Sequence, residues 1–355
     1  MIVSITTDRK AGGLANSLVS YSKALDLIGQ QHLVLIPETA PVIKTLETLD
    51  NVETIKLNKT KLVFHIVTRF LFSKKLKNAL KDCDLILVHN AKFMKHFKRF
   101  KHKVAYVNHT GKLRYTVHEA FNIFITSAGL KKFLKAYPNN KSTNKVISHG
   151  FDLSENSSQS SAISSEDSDK TLNIMSAGRF LEKKGFQTLI DAASILKKTH
   201  ANIHIYLYGE GPFLPNLKQQ AKSLALENVI FMGWHANLHE EFNKYDAYCS
   251  PSLMESFGLA TGEAMMHGLP VIATKTDGAL EMFPETTETK TEDYGGILVD
   301  FTAPEQLAHA MLRLGDDALS KKMGENAKKN IHDNFSLERL SQDLEAFIAE
   351  VNQHK

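Results

Sequence analysis

Residues 249–274 read CSPSLMESFGLATGEAMMHGLPVIAT, and within them Glu255 and Glu263 are separated by seven residues across a glycine-containing turn. Each carboxylate can accept two hydroxyl hydrogen bonds. The apolar run Tyr245 to Ser250 reads as a buried strand, Pro251 to Gly258 as a loop, and Leu259 to His267 as a helix. Open α/β sheets bind their ligands at such strand ends. Free N–H groups at the helix start suit a phosphate or a sugar hydroxyl, and Gly258 permits close approach. The equipment suits a phosphorylated, polyhydroxylated ligand.

The elements that must position this block span more than one domain. At 355 residues and 43% hydrophobic, the chain has material for two cores. Ile2 to Thr6, Leu33 to Ile36, Leu85 to Val88, Val104 to Val107 and Ile123 to Thr126 read as buried parallel strands separated by helical patterns. A second alternation runs through Leu172 to Ala177, Ile203 to Tyr208, Val229 to Met232, Ala247 to Ser250, Val271 to Ala273 and Ile297 to Val299. Between them Ser154 to Ser168 holds eight serines in fifteen residues, the composition of a flexible connection. The expected boundaries are a Rossmann-like domain over 1–150, a serine-rich linker or loop over 151–170, a second Rossmann-like domain over 171–334, and a closing helix over 335–355. Leu337, Leu340, Leu344, Phe347, Ile348 and Val351 give that tail an apolar stripe, expected to pack back on the first domain.

Charge separates the two halves. Residues 1–150 carry 25 Lys and Arg against 9 Asp and Glu, and the remainder carries 18 against 30. The basic half suits an anionic surface. In Lys92 to Lys103, KFMKHFKRFKHK, a single helix would place Phe93, Phe97 and Phe100 on one face, flanked by Lys95, Lys98, Arg99, Lys101 and Lys103. An ordinary packed helix explains part of this pattern. With Lys74, Lys75, Lys77 and Lys81, its basic side would also rest on anionic lipid, each charge contributing about 1 kcal/mol. The two cysteines, Cys83 and Cys249, are too few for a disulfide framework. The start of the chain lacks the apolar core of a signal peptide, and no later run reaches membrane-spanning length. The expectation is a cytoplasmic protein that associates peripherally with the inner face of a membrane.

Further motifs stand in order along the chain: Gly12-Gly13 after the first strand, VNHTG at Val107 to Gly111, HGFD at His149 to Asp152, GRFLEKKG at Gly178 to Gly185, YGEGP at Tyr208 to Pro212, and MGW at Met232 to Trp234. Read singly, the glycine pair fits any tight turn, the GR…KKG loop a solvated turn, and a lone histidine a structural role. Together with the 249–274 block, the series resembles the retaining glycosyltransferases of family 4 over nearly the whole chain. It departs from that pattern at Ala260 to Gly262, at His149 where the family commonly has asparagine, and in the serine-rich segment.

The resemblance implies a GT-B fold, two Rossmann-like α/β domains facing across a cleft that closes for catalysis. It implies transfer of a hexose-like sugar from a nucleotide diphosphate sugar to a glycolipid or polysaccharide precursor, such as lipopolysaccharide core, with the anomeric configuration kept. Arg179 and Lys184 would stabilise the departing diphosphate, for which a planar fork and a compact charge are suited. The Phe257, Gly258 and Leu259 amides would hold diphosphate or sugar, and Gly12 and Gly13 would approach the phosphates from the other domain. Glu263 would bind the ribose hydroxyls, Glu255 would face the donor sugar, and His109 would contact that sugar, with His89 as an outside candidate. No side-chain base is nominated; a donor phosphate oxygen would take the acceptor proton on the same face, and a double displacement stays open.

No cofactor and no metal are expected. Asp82-Cys83-Asp84 simply leads into a strand, and His235 and His239 lack a third ligand. A Gly-x-Gly-x-x-Gly fingerprint and a Walker loop are both missing, which disfavours nicotinamide and Walker-type sites. Nucleic acid would use the same basic face, but the sugar-transfer block favours a glycan or glycolipid acceptor. A glycoside hydrolase would leave Arg179 and Lys184 without a task. The remaining rivals are a sugar-nucleotide epimerase or phosphorylase on the same fold and a noncatalytic nucleotide-sugar-binding protein.

Overall fold

The computed structural model describes residues 1–6, 12–57, 74–90, 94, 97–109, 113, 121–156, 171–199, 202–235 and 237–353. The chain divides into two compact units, one of Met1–Asp152 with Phe335–Lys355 and one of Leu153–Asn334.

Among the described residues the first unit is built on seven strands: β1 Ile2–Ile5, β2 His32–Pro37, β3 Val52–Leu57, β4 Leu85–Val88, β5 Val104–Asn108, β6 Phe121–Phe124 and β7 Asn144–Val146. All their pairings are parallel, in the order β3-β2-β1-β4-β5-β6-β7. Strands buried on both faces read as continuous apolar runs, and β4 is such a run, while β1 is buried throughout with Ser4 as its one polar residue. Ile5 sits in register with Leu35 on one side and Val88 on the other. The strand order therefore reverses between β1 and β4, beside the Gly13–Leu27 helix.

The closing helix Leu337–Gln353 lies in this unit, with its whole apolar stripe of Leu337, Leu340, Leu344, Phe347, Ile348 and Val351 buried. The Phe347 ring meets Phe121 edge-on at 5.9 Å, and Phe151 pairs with Ser336 in an isolated parallel bridge. A Cβ at Gly150 would stand 2.9 Å from both Leu340 Cβ and the Ser336 carbonyl oxygen. Gly150→Ala is therefore expected to push the closing helix away at a cost of about 1–3 kcal/mol, read as a lowered thermal midpoint. An unchanged midpoint would mean that the helix yields freely.

The basic segment differs from the single helix expected over Lys92 to Lys103. Phe97 precedes a short 3-10 turn, Lys98–Lys103, which is itself kinked at Phe100. Met94 and Phe97 are buried as anchors, and Lys103 is buried too. Its ammonium donates to the Lys81 carbonyl at 2.7 Å and the Cys83 carbonyl at 3.0 Å. These carbonyls close the Lys74–Asp82 helix, so Lys103 supplies the positive charge that a helix end favours. Lys103 is thus a structural cation and is unavailable to a membrane, whereas Lys77 and Lys81 are exposed. Phe93, Lys95 and the side chains of Lys74, Lys75, Lys98, Arg99 and Lys101 lie outside the described residues. No described helix is long and apolar enough to cross a membrane.

Among the described residues the second unit holds six strands: β8 Leu172–Ala177, β9 Ile203–Tyr208, β10 Val229–Gly233, β11 Ala247–Ser250, β12 Val271–Thr274 and β13 Gly296–Val299. They too pair in parallel, in the order β10-β9-β8-β11-β12-β13, so the reversal falls between β8 and β11. Leu189, Leu196, Leu307 and Met311 from helices Phe186–Lys198 and Pro304–Arg313 pack with Ile174, Ile205, Cys249 and Ile272 of the sheet in one core. Cys83 and Cys249 are both free and buried. Ser154 falls in a 3-10 turn, Leu153–Asn156, while residues 157–170 of the serine-rich stretch lie outside the described residues.

Candidate active site

Four of the sequence motifs follow β8, β9, β10 and β11, at the carboxyl edge of the second sheet. Their loops are tied together by backbone hydrogen bonds. Gly178 N–H donates to the Tyr208 carbonyl at 3.0 Å, Phe180 N–H to Glu210 at 2.8 Å, and Gly209 N–H to Gly233 at 2.7 Å. Leu253 N–H donates to the Lys183 carbonyl at 2.9 Å, which fastens the loop after β11 to the loop after β8. Thr274, at the end of β12, also donates its hydroxyl to the Ser252 carbonyl.

Gly185 is one of the tightest points of this lacing. It adopts φ 69° at the start of the Phe186–Lys198 helix, and a Cβ would fall 1.9 Å from the Pro251 carbonyl oxygen. Both the left-handed backbone and the close approach exclude a side chain. Gly185→Ala is expected to separate the two loops at a cost of about 1–3 kcal/mol and to abolish ligand binding, measured by chemical unfolding and calorimetry. Wild-type affinity in the variant would contradict the lacing.

The tied loops bring Lys184 and Glu255 together as an ion pair, with side chains 22% and 24% exposed. The pair bridges β8 and β11, the two strands between which the sheet order reverses. Glu255 is further held by its own backbone, whose carbonyl accepts from Gly278 N–H at 3.4 Å. Gly258 caps the Leu259–Met266 helix with φ 100°, and a Cβ there would stand 3.5 Å from Glu255 Cγ. Phe257 is buried, Glu263 on the first turns of that helix is half-buried, and Arg179 is exposed. Beneath them Tyr248 donates its hydroxyl to the Ala177 carbonyl at 3.2 Å. Burial pushes the Tyr248 phenol up, and the charges of Glu263 and Glu255 add to the effect. Both carboxylates therefore act on one buried hydroxyl at the switch between β8 and β11.

Sequence reading missed Tyr248, which looks like any other strand aromatic. It also missed a network at the end of β9, where the Tyr208 hydroxyl meets a carboxyl oxygen of Glu241 and the Tyr245 hydroxyl, each at 2.7 Å. No spacing in the sequence links these residues.

The first unit places its own polar cluster at strand ends. His89 follows β4, His109 follows β5 and His149 follows β7, while Ser17 lies on the Gly13–Leu27 helix. Nδ1 of His89 lies 2.9 Å from Nε2 of His109. The Ser17 hydroxyl lies 3.4 Å from His109 Nδ1 and 3.1 Å from His149 Nδ1. Both ring nitrogens of His109 are thus engaged inside the unit. Burial lowers all three imidazoles, His89 to about 3, His149 to about 4 and His109 well below the ordinary value, so all are neutral at pH 7. Gly12 caps the helix that carries Ser17, and a Cβ there would meet nothing within 4 Å among the described residues. Asp152, which ends the HGFD motif, pairs with Lys23 at 2.6 Å. His89 and His109 were nominated from sequence; Ser17 and the contact role of His149 were not.

Known proteins share this arrangement in part. Residues 158–330 match the family model described as glycosyl transferases group 1. The lipopolysaccharide core biosynthesis glycosyltransferase LpsE of Rhizobium meliloti is 29% identical over 170 residues, 47% of this chain and 47% of its own. The N-acetyl-alpha-D-glucosaminyl L-malate synthase of Bacillus anthracis is 29% identical over 179 residues, 50% of this chain and 45% of its own. The chain thus spans about half the length of the curated relatives it matches. Over the whole fold, Anabaena HepE, solved in complex with UDP and glucose, superposes with a TM-score of 0.75 at 20% identity, covering 98% of this chain and 99% of that one. Residues 158–330 are thus similar to the glycosyl transferases group 1 family, and the chain's two Rossmann-like units have the GT-B architecture.

Proposed function

We propose that the chain is a retaining glycosyltransferase that moves a hexose-like sugar from a nucleotide diphosphate sugar to a glycolipid or polysaccharide precursor. The observation that carries this reading is the Lys184–Glu255 pair, held across the reversal of the second sheet beside the start of the Leu259–Met266 helix. Lys184 and Arg179 place positive charge where a diphosphate leaves, and the Phe257, Gly258 and Leu259 amides add donors at the positive end of the helix. Glu263 accepts from the ribose hydroxyls. Glu255, fixed by Lys184, accepts from a hydroxyl of the donor sugar. From the first unit, Gly12 and Gly13 would approach the phosphates and His109 would meet the donor sugar.

In the transfer, the bond from the anomeric carbon to the phosphate oxygen breaks and a bond to the acceptor oxygen forms on the same face. The acceptor proton passes to the departing phosphate oxygen, which leaves no task for a side-chain base. No metal or other cofactor enters this scheme. The names of the relatives support a sugar-transfer reading, and LpsE supports lipopolysaccharide core as the acceptor class.

The test is a turnover screen over nucleotide sugars with a crude glycolipid acceptor, reading the released nucleotide. Release from one donor class, stimulated by acceptor, is the expected result; silence with every donor would sink the proposal. Epimerised donor without acceptor would point to the epimerase reading instead. The basic first unit is further proposed to meet an anionic inner-leaflet surface, now through exposed cations such as Lys77 and Lys81 rather than Lys103. Sedimentation with anionic vesicles should then show binding that salt weakens, and equal binding to neutral vesicles would contradict it.

A further inference from the structure

The histidine cluster of the first unit is a chain of contacts with a direction. It runs His89 to His109 at 2.9 Å, His109 to Ser17 at 3.4 Å, and Ser17 to His149 at 3.1 Å. Each neutral imidazole carries one N–H and one lone pair, and the serine donates one proton. With all three rings neutral, the His89–His109 link has two arrangements: either His89 Nδ1–H donates to His109 Nε2, so that His109 Nδ1–H donates to Ser17, or His109 Nε2–H donates to His89 and Ser17 donates to His109 Nδ1.

The free end of the chain chooses between them. Nε2 of His89 is buried and has no hydrogen-bond partner among the described residues. His89 itself is only 3% exposed, with Tyr21 standing edge-on at a ring separation of 5.4 Å. A buried N–H without an acceptor is rarer than a buried bare lone pair, and leaving a donor unpaired costs about 1–3 kcal/mol. The proton of His89 therefore sits on Nδ1, where it donates to His109 Nε2. His109 must then carry its proton on Nδ1 and donate to the Ser17 hydroxyl oxygen, which His149 Nδ1 holds in place at 3.1 Å from its other side.

We propose that Ser17, His89 and His149 are positioning residues that lock His109 as its Nδ1–H tautomer and hold its ring in one orientation toward the donor sugar. This rests on the reading of His109 as a donor-sugar contact. With both ring nitrogens tied, His109 offers a ligand its C–H edge and peptide group, so the relay acts by fixing where that edge stands. The Ser17 link is the longest and the one whose loss frees the ring to turn about its remaining bond.

Long-range proton–nitrogen correlation spectra of the full chain labelled with nitrogen-15 histidine test the relay directly. The expected result is Nδ1–H for both His89 and His109, assigned by single histidine variants. His109 found with its proton on Nε2 would overturn the proposal. Ser17→Ala should mix the tautomers of His109 and lower kcat about tenfold, with KM within about twofold. His89→Asn, whose side-chain amide can stand in for the Nδ1–H donor, should keep both the tautomer and kcat, whereas His89→Leu should lose both. Ser17→Ala with wild-type spectrum and turnover would also overturn it. Should no nucleotide sugar be turned over by the wild-type chain, the functional reading fails, while the spectra still decide the relay.

Discussion

Replacing Lys184 with alanine is expected to lower kcat by about a hundredfold to a thousandfold, the usual cost of removing one preorganised donor from a developing anion. The size follows from the setting. The Lys184 ammonium is pinned by Glu255 and by loops that are laced through Gly185 and Leu253, so its charge needs no reorganisation when a phosphate leaves. Substitution also leaves the Glu255 carboxylate without its cation, at a position only 24% exposed. Glu255→Gln should lose less, because a carboxamide still accepts from a sugar hydroxyl. The double variant Lys184→Ala with Glu255→Gln should fall short of the product of the two single losses, since the residues act as one unit. Steady-state kinetics on the four proteins measures this, and strictly multiplicative losses would show that the pair is only a structural contact.

Acidification is expected to destabilise the first unit by several kcal/mol between pH 6.5 and pH 4. Burial holds His32 and His89 at about 3, His149 at about 4, and His109 well below its ordinary 6.5. Each is therefore neutral when folded and takes up a proton on unfolding as the pH drops below 6.5. The unfolded state then binds more protons, so stability present above 6.5 is lost on acidification, at roughly 1.4 kcal/mol per pH unit for each group. His32, His89 and His149 are all under 5% exposed, so solvent screening does little to soften the effect. Hydrogen exchange of the β1, β4 and β5 amides at pH 7 and pH 5 reads the change. His149→Asn removes one of the buried imidazoles and should flatten the slope by one proton. A first unit equally protected at both pH values would contradict this electrostatic picture.

Legibility followed burial. Leu85–Val88 is an unbroken apolar run, Leu172–Ala177, Ile203–Tyr208 and Ala247–Ser250 are largely apolar, and each is a strand over the same residues in the structure. Val52–Leu57 was missed because its residues are mostly half-exposed, so VETIKL lacks the continuous apolar run that was sought. Asn144–Val146 is only three residues long and only partly buried. The Lys92 to Lys103 helix failed for a different reason, because helical spacing was present but tertiary demands won. Met94 and Phe97 are drawn into the core, and Lys103 is recruited to the end of another helix. In the candidate site, residues in glycine-bearing loops at strand ends announced themselves. Tyr248 and Ser17 did not, because they sit within regular elements and gain meaning only from neighbours distant in sequence, Ala177 for one and His109 and His149 for the other.

The central claim is that Lys184, beside Glu255 and the Gly258-capped helix, holds the diphosphate of a nucleotide sugar. Titration calorimetry of the wild-type chain and of Lys184→Ala with UDP, GDP and ADP tests it most directly. The account predicts that one nucleoside diphosphate binds the wild-type chain and that the variant binds it at least about tenfold more weakly, the loss of one charged hydrogen bond. Equal affinity in the two proteins, or no binding of any of the three, would contradict it.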